Sequence, residues 1–284
     1  MARRAIGHGG ALAGKTAFVA GGTRGMGLAI AELLAENGAW VIVCGSTSAS
    51  VAACRRAVRR NKLPIQAIEL DVTDADQVAR ALKRLDAQSR AIDILVCCVG
   101  RALRGSALET TVEQWDRCME ANLRVPFILS QAVLPGMVQR RAGLIVLISS
   151  IWAVTATARR VAYTVAKASL SSLARALAMD VAAEGVRVNA VAPGYIDTDF
   201  LRSSLAEANP GRDVDGMIAA AAAGHPLGRI GRGADVAEAV LYLARSDFVT
   251  GQTLIVDGGL TTRMALGDFA KAAAPASRRS NARD

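Results

Sequence analysis

Short apolar runs alternate with longer amphipathic stretches along most of the 284 residues. Runs at 16–19, 40–44, 65–70, 92–96, 144–148, 186–191 and 254–259 predict seven buried strands. Between them the apolar positions recur at helical spacing. Helices are expected from a glycine-rich turn to about Asn37, over 49–60, and from about Thr111 to Asn122 with Trp115 and Met119 on its apolar stripe. Two more are expected from near Ala158 to Gly185 and from Gly233 to about Ala244, and Thr73 is placed to cap another after the third strand. Strands and helices in alternation predict a doubly wound α/β architecture, a parallel sheet covered on both faces.

The pattern weakens over 199–232. There Phe200-Leu201, an alanine run at 219–223 and Pro226 predict one or two short helices over the site, the usual form of a substrate lid. No internal repeat and no linker divides the chain, so one domain over 12–260 is expected. Residues 1–11 read as a loose tail. Residues 261–284 lack any period and read as a mobile one.

Apolar residues make up 52% of the chain and aromatics only 4%, a balance that suits parallel strands buried under helices. No run of eighteen or more uncharged apolar residues is present, so no membrane partner is expected. The basic start lacks the apolar segment of a signal peptide, and the expected location is cytoplasmic. A formal charge of +9 raises the question of nucleic acid. The arginines are scattered, however, in small clusters such as Arg55-Arg56, Arg59-Arg60 and Arg278-Arg279, with no aromatic-interleaved platform. They read mainly as solvated helix faces, and no nucleic-acid partner is expected. Five cysteines without paired metal spacing read as reduced thiols, and no metal is called for.

Two stretches carry chemistry. Gly21-Gly22-Thr23-Arg24-Gly25-Met26-Gly27 turns the first strand into the first helix. Glycines there bring backbone amides close to a pyrophosphate, and the helix start turns unpaired N–H groups toward the same anion. The second is Tyr163-Thr164-Val165-Ala166-Lys167. A tyrosine and a lysine four apart share one helix face. A nearby ammonium stabilises the phenolate, drawing a phenol that ordinarily titrates near pH 10 toward the working range. Upstream, Ser149-Ser150 ends an apolar strand, where a hydroxyl can hydrogen-bond a substrate oxygen.

Ser150, Tyr163 and Lys167, in order after that glycine turn, resemble the short-chain dehydrogenase/reductase family from about Leu12 to Leu260. The resemblance implies a Rossmann domain and reversible hydride transfer between a nicotinamide dinucleotide and a ketone or secondary alcohol. Tyr163 would be general acid/base, Ser150 would orient the substrate oxygen, and Lys167 would also grip the nicotinamide ribose. Asn122 matches the fourth catalytic member, thought to bend its helix and hold a proton-relaying water. Ser150, Arg160, Tyr163 and Tyr195 would face the substrate.

For the cofactor, the resemblance implies that Asp71-Val72 meets adenine. Gly100 allows close backbone approach, Pro193-Gly194 aims the chain at the nicotinamide, Ile196 meets the carboxamide and Thr198 a phosphate. NAD users of the family carry an acidic residue at the position of Gly45. Here Gly45 is followed by Ser46 and Thr47, and Arg24 adds positive charge. NADP(H) is therefore favoured over NAD(H), since nothing there repels a 2′-phosphate.

Departures from the family pattern are informative. Ala20 stands for the usual threonine, and Cys97-Cys98-Val99-Gly100 for Asn-Asn-Ala-Gly. Within the family the chain most resembles 3-oxoacyl-carrier-protein reductases and nearby sugar-alcohol dehydrogenases. Arg141 matches one carrier-docking arginine, but Glu184 stands at the other, and Arg159-Arg160 replaces a glutamine-bearing stretch. The alternatives are therefore a carrier-bound acyl substrate, an NAD-dependent polyol or sugar dehydrogenase, and a dinucleotide-sensing regulator without catalysis. The resemblance also implies a homotetramer, built on the tyrosine-bearing helix and on residues 248–260.

Overall fold

In the computed structural model, which describes residues 10–88 and 90–263, seven strands form one all-parallel sheet of order β3-β2-β1-β4-β5-β6-β7. The strands are β1 (Thr16–Ala20), β2 (Trp40–Gly45), β3 (Ile65–Glu69), β4 (Ile94–Cys97), β5 (Gly143–Ile148), β6 (Val186–Pro193) and β7 (Thr253–Val256). The helices are α1 (Gly25–Glu36), α2 (Ser48–Arg60), α3 (Ala75–Ala87), α4 (Val112–Met119), α5 (Val125–Arg140), α6 (Val161–Val181), α7 (Asp199–Ala208), α8 (Val214–Gly224) and α9 (Gly233–Arg245). The expected doubly wound sheet is borne out.

Alternation along each strand feeds two cores, because successive side chains leave opposite faces. From β1, Ala17 and Val19 join Ile30 and Leu34 of α1, Val51 of α2 and Val236 and Val240 of α9. Phe18 and Ala20 join Leu129 and Met137 of α5, Leu85 of α3 and Leu170 and Leu177 of α6 on the other face. Each fully buried Phe, Leu, Ile or Val contributes about 1.5–3 kcal/mol relative to exposure. Strands covered on both sides must therefore read as continuous apolar runs, which is why they are so legible.

The strand order reverses between β1 and β4, and a crevice opens there at the carboxyl ends of the strands, where open α/β sheets take ligands. Cys97 and Cys98 leave this corner well tied. The Cys98 N–H donates to Ala20 O at 2.9 Å, and Cys97 is wholly buried.

Several elements differ from expectation. The helix from Thr111 does not end at Asn122: a π-turn at Glu120–Arg124 joins α4 to α5. α5 had no forecast because its surface is apolar nearly all round and Pro135 lies inside it, so no helical stripe marks it. Thr73 does not cap α3. Asp74 does, accepting from Gln77 N at 2.9 Å. α6 stops at Val181, a short 3-10 turn follows, and Gly185 closes it at φ +73°. β7 ends at Val256, before the turn that Asp257 pins by accepting from the backbone N–H groups of Gly259 and Thr261. The stretch after β6 folds as α7 and α8, which pack together. The two expected tails fall mostly outside the described residues. Leu12, the first residue of the expected domain, is buried and its N–H donates to Asn37 O.

Candidate active site

A cavity of about 430 Å³ runs from the glycine turn to Tyr163 and Lys167. Its near end is built from missing side chains. Gly21 takes φ +75°, and a Cβ on Gly27 would stand 2.2 Å from Gly21 O, so α1 can approach the turn only with glycine there. Thr23, Arg24, Gly25 and Met26 complete this wall, and Thr198, the cap of α7, lies across from Gly25. α1 begins with no side chain capping it, which leaves its first N–H groups to an anion.

At the end of β2, Gly45, Ser46, Thr47 and Ser50 line the cavity. Thr23 and Ser50 fill the space beside Gly45: a Cβ there would meet Ser50 Oγ at 2.7 Å and Thr23 Oγ1 at 3.0 Å. Among the described residues Arg24 makes no ion pair or side-chain hydrogen bond, so its charge is uncommitted. These groups fit a phosphorylated dinucleotide.

Not every expected cofactor residue reaches the cavity. Asp71 turns away: its Oδ1 accepts from Thr73 N at 2.9 Å and Thr73 Oγ1 at 2.7 Å, pinning a turn. Leu70 and Val72 line the wall instead. Pro193, the last residue of β6, and Gly194 and Ile196 just beyond it do not line the cavity. Pro193 pairs with Val256, and Ile196 is buried and bridges to Gly231. Gly100 does line it, together with Cys98 and Val99, which sequence reasoning passed over although residues just past a strand at the switch point were the place to look.

The catalytic candidates converge at the far end. Asn122 is fully buried, and its Nδ2 donates to Cys118 O and to Arg101 O, each at 2.9 Å. It sits in the π-turn, where Val125 N–H reaches back five residues to Glu120 O. π-turns of this kind recur at functional sites. A Cβ on Gly100 would lie 2.7 Å from Asn122 Oδ1 and 3.3 Å from Lys167 Nζ, so amide and ammonium meet over this glycine.

Lys167 is buried and donates from Nζ to Ile148 O at 2.9 Å; burial lowers its pKa to about 8. Burial raises the Tyr163 phenol to about 12, opposed first by the Arg160 guanidinium and then by a hydrogen bond with Ser150. The sequence pointed to Lys167 as the charge acting on the phenol. In the fold Nζ lies 5.7 Å from the ring centroid and Arg160 Cζ lies 5.8 Å from it. Ser150 Oγ also accepts from Trp152 N at 3.3 Å. Ser149 is a staple, with Oγ donating to Lys167 O at 2.8 Å and lying 3.1 Å from Ser171 Oγ. Its place beside Ser150 gave no hint of this.

Tyr195 and Arg160 stand outside the cavity wall. Tyr195 packs edge-on against His225, which is buried with Nδ1 2.7 Å from Ala221 O. Cys44 and Cys98 are raised by burial to about 12 and about 11, and Cys97 is raised further, so these thiols stay protonated.

A phosphate-binding turn that leads to a buried tyrosine and lysine defines a dinucleotide-dependent oxidoreductase. The chain belongs to the short-chain dehydrogenase/reductase family. A family model described as Enoyl-(Acyl carrier protein) reductase matches residues 20–261. The 3-oxoacyl-acyl-carrier-protein reductase FabG of Vibrio harveyi is 35% identical over 251 residues, covering 88% of this chain and 98% of that one. The cis-4-hydroxycyclohexanecarboxylate dehydrogenase of Sinomonas cyclohexanicum is 37% identical over 254 residues, covering 88% and 98%. Among solved structures, Thermoplasma acidophilum aldohexose dehydrogenase superposes with a TM-score of 0.81 at 32% identity over 90% of this chain and 97% of that one. A variant of actinorhodin polyketide ketoreductase with NADPH superposes with a TM-score of 0.82 at 28% identity over 88% and 98%. Among the described residues, no helix is long and apolar enough to cross a membrane.

Proposed function

We propose that this oxidoreductase interconverts a small free ketone and a secondary alcohol with NADP(H), using Tyr163 as general acid/base. One observation carries the proposal: Tyr163, Lys167 and Asn122 meet at the end of a cavity that starts at the glycine turn. The bound dinucleotide supplies or accepts the hydride. Tyr163 holds the transferable proton on its phenol oxygen, protonated at neutral pH and ready for a developing alkoxide. Ser150 stands beside that phenol, working against burial on its pKa, and orients the substrate oxygen. Lys167 and Asn122 hold the proton path behind it, with the Asn122 carbonyl tied by the Arg101 N–H at 3.3 Å. α7 and α8 close over the site as a lid, with Phe200 on the cavity wall.

Preference for NADP(H) rests on the uncommitted Arg24 and on Gly45, Ser46 and Thr47 lining the cavity at the end of β2, where the nearby Glu69 carboxylate lies off the wall and is taken by Ser48 Oγ at 2.6 Å. The ketoreductase solved with NADPH supports the same choice. A carrier-bound substrate is disfavoured by Arg141, which is held at 2.6 Å by Glu184 and donates to Ala183 O. The FabG relatives act on such carriers, and a carrier-bound 3-oxoacyl group is the second reading. A homotetramer is supported by an apolar groove along α4, the π-turn and α5, lined by Trp115, Met119, Leu123 and Phe127, with Leu173 of α6. Exposed Phe248 supports the second interface. The function is tested with a panel of ketones and alcohols, followed by nicotinamide absorbance with NADPH and NADP⁺. Turnover is expected. Tight dinucleotide binding with no turnover across the panel would instead mark a regulator.

A further inference from the structure

Arg160 is half-buried at the start of α6, and its guanidinium lies over two rings, 5.9 Å from the Trp152 centroid and 5.8 Å from that of Tyr163. A guanidinium so placed ordinarily has an anionic partner, because withdrawing a charge from water is costly unless the charge is paired. None is present. Among the described residues neither Arg160 nor Arg104 joins an ion pair, and neither guanidinium donates a hydrogen bond.

The nearby carboxylate is already committed. Glu109 is bound by Arg159 and accepts from Ser106 N at 2.8 Å. The same loop is tied down at Gly105, whose N–H donates to Arg159 O at 3.0 Å and which bridges to Arg160. That bridge brings the exposed Arg104 alongside Arg160; burial first and the Arg104 charge second lower the Arg160 pKa, while the phenols of Tyr163 and Tyr195 act the other way. Two guanidinium groups without a counter-ion thus lie together just outside the cavity wall, Arg104 exposed and Arg160 over the ring of the proton donor.

We propose that Arg160 and Arg104 form the seat for a carboxylate on the substrate, so that the enzyme prefers keto acids and hydroxy acids to neutral carbonyl compounds. The inference rests on the ketone–alcohol reading above. The planar guanidinium fork takes a carboxylate by two parallel hydrogen bonds, and docking there would neutralise the local repulsion. With the carboxylate on Arg160, whose guanidinium lies 5.8 Å from the Tyr163 ring centroid, a carbonyl a few carbons away would come to the Tyr163 phenol. This favours acids whose carbonyl is only a few carbons from the carboxylate.

The test compares 3-oxobutanoate with its methyl ester and 4-oxocyclohexanecarboxylate with its methyl ester, in the wild-type enzyme and in Arg160→Gln, Arg104→Gln and Arg160→Lys. The readout is the acid-to-ester ratio of kcat/KM, which a general structural loss would not move. Wild type is expected to favour at least one acid by about tenfold to a hundredfold, the range of a charge-assisted hydrogen bond. Arg160→Gln should collapse that ratio chiefly through KM, Arg104→Gln should reduce it, and Arg160→Lys should keep part of it. Esters turned over as well as acids, or a ratio unchanged in Arg160→Gln, overturn the inference and leave the reductase standing. The same holds if dihydroxyacetone phosphate outcompetes both acids, or if only neutral ketones react. No turnover of any carbonyl compound overturns the ketone–alcohol reading itself.

Discussion

Gly100→Ala is the sharpest test of how the catalytic groups are packed. The glycine has no left-handed φ, so a methyl group adds no backbone strain, and its effect comes from space alone. Its Cβ would stand 2.7 Å from Asn122 Oδ1 where ordinary contact begins at 3.4 Å, so the oxygen must give by about 0.7 Å. Asn122 cannot yield freely, because Nδ2 is held by Cys118 O and Arg101 O and Oδ1 by Arg101 N. Loss of the Arg101 N–H bond and crowding of the others cost about 1–3 kcal/mol. For a chain of this size that lowers Tm by roughly 3–10 °C. The same displacement reaches Lys167, whose Nζ lies 3.3 Å from the new methyl position. Misplacement on the order of 1 Å beside reacting groups costs up to about a hundredfold, so kcat should fall by about tenfold or more. Thermal melts, steady-state kinetics and dinucleotide titration measure the three consequences. A Tm within about 1 °C of wild type together with kcat within about twofold would refute the packing argument.

Other predictions follow from the same geometry. Ser46→Asp should cut kcat/KM with NADPH by about tenfold or more while sparing NADH, because a carboxylate at this exposed position repels the 2′-phosphate. It is a cleaner probe than Gly45→Asp, whose Cβ would press on Ser50 and Thr23; a wild-type preference for NADH would contradict it. Lys167 has its folded pKa lowered from 10.5 to about 8, so over that window the unfolded chain binds the extra proton. Its contribution to stability is therefore fully present above 10.5 and lost as pH falls through about 8. Urea melts should show wild-type apoprotein gaining about 2 kcal/mol on Lys167→Met between pH 8 and 9.5, whereas parallel profiles would contradict the lowered pKa. Light scattering at micromolar concentration should give about four times the single-chain mass, and a stable single-chain mass would remove both proposed interfaces.

Legibility in the sequence followed burial and backbone constraint. The five inner strands, covered on both faces, have no choice but to be apolar, while the edge strands β3 and β7 are only partly covered and were visible as shorter apolar runs. Glycines whose Cβ atoms would strike backbone, such as Gly27, announced the phosphate turn. Tyr163, Lys167 and Asn122 were legible because helix spacing and family order fix them. α5 was hidden because both of its faces are apolar. Asp71 shows a second use of such a residue: a carboxylate after a strand pins its own turn as readily as it meets a ligand. The pairing of Arg160 with Arg104 lay beyond any one-dimensional reading. It depends on a loop bridge at Gly105, more than fifty positions from Arg160 in the chain.

The central claim is that the Tyr163 phenol delivers the proton as hydride moves, and Tyr163→Phe tests it most directly. The ring and its packing on Ala162 and Ala166 are kept while the hydroxyl is lost, so folding and dinucleotide affinity should stay close to wild type. With the best substrate of the carbonyl panel, kcat is expected to fall by about a hundredfold or more. A variant that binds the dinucleotide normally and keeps more than about a third of wild-type kcat would show that the proton comes from elsewhere.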